Sequence, residues 1–412
     1  VIALVIPASS GAQLADALQE EGAEFLEVHP QDRAPLAGTE RTGIKTVLHS
    51  DLDSTAEQLR ALGVRTVVAG SEFGVTLADE LAERLELPHH RHELRAARRD
   101  KYRMQQALAE AGLAHAHSTV VRTEEELKAF LASGASSYPL VIKPFNSAGS
   151  DGCRICSTAD EALAAFRAVV GRRNLMGEIN EGVLAQEFLS GSQYIVNTVS
   201  MDGRHLLAEL YAERIDRIEG SPVLRHIISR TIPDEREQEL VDYTMSCLDA
   251  LGVQDGAAHT EVMLTAAGPR LVEVNSRLMG PYLSPDAYHC AFGYSSPHLV
   301  AERLLRPDDF HNRFDLPYGP ARTLAKVFLR ADRPGILTSA DGLREVRRLP
   351  GFHSVARLPQ VNDVLRDTQL TTGSCGTAFF VHEDAELIEH SLAVLHEMED
   401  SGTLFQVSEA GG

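Results

Sequence analysis

Apolar and polar positions sort residues 1–93 into short alternating blocks. Val1–Ile6 is a continuous apolar run, and Gly11–Glu21 puts Leu14 and Leu18 on one helical face. Glu24–Val28, Thr46–His49 and Thr66–Ala69 read as further strands, with Ser54–Leu62 and Thr76–Leu85 helical between them. Such alternation predicts a parallel sheet covered on both faces. Pro88-His-His-Arg-His92 then reads as a linker. Its histidines are metal-ligand types, but no cysteine is near in sequence, so a solvated joint is expected.

Beyond the linker the pattern predicts a helix over Arg98–Ala111 ended by Gly112, and another over Glu124–Ala132. A strand at Leu140–Lys143 leads through a Gly/Ser loop to a helix at Ala159–Val170. Strands follow at Val183–Phe188, Tyr194–Met201 and Leu206–Ile215, then a helix at Asp234–Leu251. His259–Leu264 and Arg270–Asn275 read as a hairpin. The remainder returns to strand–helix logic: strands Ala325–Leu329, Ser354–Leu358 and Thr377–His382, and helices after Ser339 and over Asp384–Glu399. No tandem repeat or low-complexity tract appears.

At 412 residues the chain should hold two or three domains, at roughly 150 residues each. No apolar run approaches the ~20 residues that span a bilayer, so no membrane partner is expected. Val1–Ile6 lacks a basic flank and is too short for a signal core, and Val at position 1 suggests a missing native start. A net charge of −20 argues against nucleic acid as a partner. A small anion needs only a local cluster of donors. Five scattered cysteines suggest a reducing cytoplasm. Cys153 and Cys156, three apart on an expected strand, would face opposite sides and share no ligand.

Two segments carry candidate chemistry. In Val141-Ile-Lys-Pro-Phe-Asn-Ser-Ala-Gly-Ser-Asp-Gly152 a strand delivers Lys143 to a loop of small residues. Glycines let backbone N–H groups approach phosphate oxygens, although flexible Ser/Gly turns are common without a ligand. The second segment is stronger. Side chains two apart on a strand share a face, so Glu273, Asn275 and Arg277 should project together. Pairing Leu264 with Arg270 across the Thr265–Gly268 turn would set Glu261 opposite Glu273. Like charges in that position destabilise a hairpin unless compensated. A hard divalent cation held by two carboxylates and an amide oxygen would compensate them.

In this order the two segments resemble the ATP-grasp superfamily, and within it the L-amino-acid ligase group of carboxylate–amine ligases. The resemblance implies an α/β and α+β protein: an ATP-grasp fold with an amino-terminal Rossmann-like domain and a carboxy-terminal α/β cap. Expected boundaries are 1–93 for the amino-terminal domain, 94–182 for the ATP-grasp lid subdomain, 183–315 for the large subdomain, and 316–412 for the cap. Arg99-Asp-Lys-Tyr-Arg-Met104 resembles the family's opening helix, and Lys101 and Lys143 match its two phosphate-contacting lysines. Ser147, Gly149, Ser150 and Gly152 fall in the matching mobile lid. Leu184–Gln193 resembles the adenine hinge, so Gln186, Glu187, Phe188 and Leu189 would border adenine, with backbone of Glu187–Leu189 on its edge. Gln193 stands where members carry a ribose-binding Glu. Met263 matches the apolar floor under adenine, Glu261, Glu273 and Asn275 the magnesium ligands, and Arg277 the arginine that faces the transferred phosphoryl.

The resemblance implies ATP and Mg²⁺ as cofactors, with Mn²⁺ able to substitute. An acid would become an acyl phosphate and then an amide with an amine, both small molecules such as amino acids, giving a dipeptide. Lys143 and Arg277 would carry the catalysis, in a cytoplasmic monomer or homodimer. Two other functions stay open: ATP-grasp carboxylation of bicarbonate, and a non-catalytic nucleotide-binding module. His259 reads equally as a neighbour of the γ-phosphate or amine and as a core histidine. Arg225, His226 and Arg230 read equally as lining an acid pocket and as solvated edge residues.

Overall fold

A computed structural model describes residues 1–31, 41–134, 137–147, 149, 151–218, 220–366 and 373–408. Its first sheet is parallel, in the order Lys45–His49, Phe25–Pro30, Ile2–Val5, Thr66–Ala69. All four residues of Ile2–Val5 are buried, which explains the unbroken apolar run. The first helix, Ser10–Glu20, starts so close to the sheet that a Cβ on Gly11 would lie 1.5 Å from Gly70 O. Only glycine fits there.

The expected helix over Arg98–Ala111 is in fact two, Arg95–Arg99 and Lys101–Glu110. Asp100 breaks it: its backbone is extended and its carboxylate accepts from the N–H groups of Tyr102 and Arg103. This is N-cap chemistry, and it places Lys101 at a helix start. A small antiparallel sheet follows, ordered Ser118–Val121, Val183–Glu187, Leu140–Lys143, Arg154–Cys156. Helices Glu124–Ala132 and Ala159–Val169 contribute Leu127, Ala162, Ala165 and Phe166 to the core beneath it. Ser118–Val121 and Ser221–Ser229 escaped the pattern reading.

The largest sheet has eight antiparallel strands. Their order is Gly268–Asn275, Gly256–Thr265, Gly191–Met201, Arg204–Ile218, Ser221–Ser229, Thr323–Phe328, Thr377–His382, Phe352–Ala356. Helix Glu235–Ala250, closed by an Asp234/Glu237 capping box, packs Leu240, Val241 and Leu248 against Val262, Leu271 and Val274. The sheet continues past position 316 through the last three of its strands. A three-stranded sheet, Val364–Leu365, Gly335–Ser339 and Gln406–Ser408, completes the fold. No described helix is long and apolar enough to cross a membrane.

Candidate active site

The register of the hairpin decides the site. Near the turn, Leu264 pairs with Pro269, one residue off the expected Arg270, and Val262 pairs with Leu271. A bulge between Glu261 and Val262 then restores Glu261 opposite Glu273 and His259 opposite Asn275. The bulged residue lets the turn and the carboxylate pair each take their preferred register. Glu261 also pairs with Ile195, and Met263 with Gln193, on the next strand.

Lys101 meets this pair from the start of its helix. Its Nζ lies 2.7 Å from Glu273 Oε2 and donates to Ser147 O at 3.0 Å. Burial alone would raise the Glu273 carboxyl, but the Lys101 ammonium holds it below the usual carboxylate range. The same ion pair outweighs burial at Lys101 and raises its pKa. Lys143 is buried at the end of its strand, and burial together with the Lys101 charge lowers its pKa. Asn275 Nδ2 donates to Glu273 Oε1 at 2.9 Å, so the amide carbonyl is its remaining polar atom.

A second polar row supports the first. Asn197 Nδ2 donates to Glu209 Oε2 at 2.6 Å, and Asn197 Oδ1 lies 2.9 Å from His259 Nδ1. The acceptor at Nδ1 fixes His259 Nδ1 as the N–H, and Nε2 lies 3.6 Å from Glu261 Oε1. His259 is therefore both buried and turned toward the carboxylate pair, so its two readings are not exclusive.

At the other end of the site, Gln186 is buried and Phe188 is partly exposed. Glu187 N–H is already bonded to His117 O at 3.0 Å, and its side chain accepts from His117 N–H. The Glu187 N–H is thus committed within the protein, which leaves its carbonyl as the backbone group for the hinge reading. Gln193 Nε2 donates to Glu261 Oε2 at 3.0 Å. In the loop, Ser147 Oγ donates to Asp151 Oδ2, and Gly149 and Gly152 take positive φ. Ser150 lies outside the described residues, so the lid expectation is only partly described.

Arg277 is not on the strand, which ends at Asn275. It sits in the bend beyond, where Nε donates to Glu72 Oε2 at 2.7 Å and Nη1 to Leu278 O at 2.9 Å. Glu72 also binds Arg99, whose Nη2 reaches Asn146 Oδ1 at 3.2 Å. Burial works against the Glu72 carboxylate, but Arg277 and Arg99 keep its pKa low. Glu72 comes from a short turn in the amino-terminal α/β unit, and no local motif announced it.

Other candidates do not converge here. Arg225 is buried against Asp216, Glu399 and Asp400, and His226 Nδ1 lies 2.7 Å from His396 Nε2. Arg230 Nε donates to Glu237. These contacts tie the large sheet to helices, so Arg225 and His226 are not solvated edge residues, whereas Arg230 stays partly exposed. The histidine linker is a solvated joint only in part, with Pro88, Arg91 and His92 exposed. His90 is buried, and His89 lies 2.6 Å from Asp79, which also accepts from buried Arg98. Asp79, His89 and His90 are close enough to hold a metal, yet Arg98 already neutralises the carboxylate. Cys153 and Cys156 are both free thiols.

Two opposed carboxylates with an amide carbonyl beside them form a hard oxygen donor set, which fits Mg²⁺. The ATP-grasp domain family matches residues 136–286. Dapdiamide A synthase of Enterobacter agglomerans is 31% identical over 355 residues, 85% of this chain and 82% of that one. The chain belongs to the ATP-grasp family and is an ADP-forming carboxylate–amine ligase that uses ATP with Mg²⁺. Alanine–anticapsin ligase of Bacillus subtilis (strain 168) is 25% identical over 278 residues, covering 62% of this chain and 56% of that one. The L-amino acid ligase from Bacillus licheniformis superposes with a TM-score of 0.77 over 100% of this chain and 98% of that one. At 19% identity that likeness speaks to the fold alone.

Proposed function

We propose that this ligase activates one amino acid as an acyl phosphate and joins it to a second, giving a dipeptide, ADP and phosphate. The observation that carries the reading is the Glu261–Glu273 pair with Lys101 against it, a charge arrangement suited to a metal-bound polyphosphate. Alanine–anticapsin ligase, whose name gives alanine as a substrate, supports an amino-acid substrate. Residues 94–182 would act as the lid and 183–315 as the base, with 1–93 and 316–412 walling the substrate side.

Lys101 and Lys143 hold the phosphates, and Glu261, Glu273 and Asn275 would hold Mg²⁺. When bound, the ion neutralises charge on the β- and γ-phosphates. A substrate carboxylate oxygen attacks the γ-phosphorus, the bond to the bridging oxygen breaks, and ADP leaves. The amine nitrogen then attacks the acyl carbon, phosphate leaves, and the nitrogen gives up a proton. Arg277 faces the oxygen that becomes negative in this step. Ser147, Gly149, Ser150 and Gly152 would close over the phosphates, and Gln186, Phe188, Leu189 and Met263 would border adenine.

The test is ADP release across pairs of amino acids. Stimulation by particular pairs, with matching amide product, is expected. ADP release stimulated by bicarbonate and not by amino acids would overturn the assignment.

A further inference from the structure

The segment that follows the metal ligands crosses the face of the large sheet. It leaves the first strand in the sheet's order at Asn275, and Lys326 of the sixth strand, Thr323–Phe328, donates to its Gly280 O at 2.8 Å. Two residues on, the Tyr282 ring meets Phe379 of the seventh strand edge-on, with centroids 6.1 Å apart. The amino-terminal unit pins the segment from the other side. Leu283 N–H donates to Gln13 Oε1 at 2.9 Å, and Ser9 Oγ donates to Pro281 O. The segment is therefore a fixed wall running from Arg277, beside the metal ligands, to the carboxy-terminal cap.

Arg357 stands at the far end of that wall. It follows Phe352–Ala356, the eighth strand, and its guanidinium lies 5.4 Å from the Tyr282 ring centroid. An aromatic face under a guanidinium orients the fork and leaves its N–H edge open. Arg357 is exposed and makes no hydrogen bond or ion pair among the described residues. Its φ is 55°, a left-handed value uncommon for a long side chain. Strained backbone of this kind clusters at ligand clamps. Charge also favours an anion here. Burial lowers the Lys326 pKa to about 7, Arg357 and Arg277 push it the same way, and Glu209 opposes them. Positive charge thus gathers along the wall, whereas negative charge gathers at the Glu261–Glu273 pair.

We propose that Arg357 binds the carboxylate of the amino acid that supplies the amine, and so selects amines that carry one; the inference rests on the dipeptide-forming reading of the site. Arg277 faces the oxygen of the acid being activated, so the second substrate lies further along the wall, toward Tyr282. Its amino group faces the acyl carbon, and its carboxylate, one carbon away, faces the cap. A guanidinium fork meets a carboxylate with two parallel hydrogen bonds, whereas a carboxamide offers one acceptor and no charge.

The experiment measures ADP release and amide product for pairs of unlike L-amino acids, and for the same pairs with the amine partner replaced by its carboxamide. It compares wild type, Arg357→Gly and Arg357→Lys. Glycine removes the side chain and suits the backbone, so Arg357→Gly should stay folded, which thermal unfolding checks. Wild type should show a KM about 10–100-fold lower for the free amino acid than for its carboxamide, the usual range for a hydrogen bond to a charged group. Arg357→Gly should raise the KM of the free amino acid to that of the carboxamide, and Arg357→Lys should recover part of the difference. Hydroxylamine carries no carboxylate, so hydroxamate formation with it in place of the amine should match wild type in both variants. Weakened hydroxamate formation in Arg357→Gly would put Arg357 on the acid or the nucleotide and overturn the proposal, as would an unchanged KM for the free amino acid. Wild type that releases no ADP with any pair would sink the dipeptide reading too, whereas equal use of amino acids and carboxamides would sink only this inference.

Discussion

Arg277 Nε donates a 2.7 Å hydrogen bond to Glu72 Oε2, a carboxylate 205 positions earlier in the chain. The amino-terminal α/β unit thus holds the guanidinium of a residue in the bend just beyond the large sheet. With Nη1 spent on Leu278 O, the fork is fixed in direction before any substrate arrives.

Arg277→Ala should cut turnover by about 10²–10³ while ATP affinity stays within a few-fold, the usual effect of losing one oxyanion-stabilising group. Arg277→Lys should recover only part, since a point charge lacks the planar fork. Equal losses of ATP affinity and turnover, read by calorimetry and steady-state kinetics, would place Arg277 on the nucleotide instead.

Glu72→Gln should lower turnover less than Arg277→Ala does, and should have no further effect in the Arg277→Ala background. Residues that act through one another show such non-additivity. Fully additive losses in the double-mutant cycle would show that Glu72 works independently of Arg277.

Glu273→Gln should abolish turnover yet shift the melting temperature by only a few degrees. The amide keeps an acceptor for Lys101 and relieves repulsion with Glu261, while the metal loses a charged ligand. A large drop in melting temperature with activity retained would mark Glu273 as structural.

His226 gives a pH prediction away from the site. Burial, reinforced by His396 and nearby arginines, lowers its pKa from 6.5 to about 3. The unfolded chain therefore binds a proton that the folded chain refuses between those values. Stability from this group is full above the unfolded value and declines as pH falls toward the folded one, by at most on the order of 4 kcal/mol. Melting temperature should fall as pH drops from 7 to 4, and His226→Gln should flatten that slope. A slope unchanged by the substitution would assign the acid sensitivity to other groups.

Local chemistry was legible in the sequence, and distant partnerships were not. The Leu264–Arg270 pairing guess missed the turn by one residue, yet Glu261 does face Glu273 because a bulge absorbs the difference. The helix break at Asp100 was readable as an N-cap, but apolar periodicity on both sides concealed it. Ser221–Ser229 was missed as a strand because its polar residues looked like pocket or edge positions, whereas Arg225 is buried against, and His226 packs on, the carboxy-terminal helix Ala385–Asp400. Glu72 gave no signal of its own. It meets Arg277 only when the amino-terminal unit is brought beside the end of the hairpin.

The central claim is acid activation through an acyl phosphate, and hydroxylamine trapping tests it most directly. Incubation of the ligase with Mg-ATP, its acid substrate and hydroxylamine, without the amine, should yield the hydroxamate with ADP and phosphate in equal amounts. Hydroxamate accompanied by AMP and pyrophosphate would mean adenylation and would contradict the account.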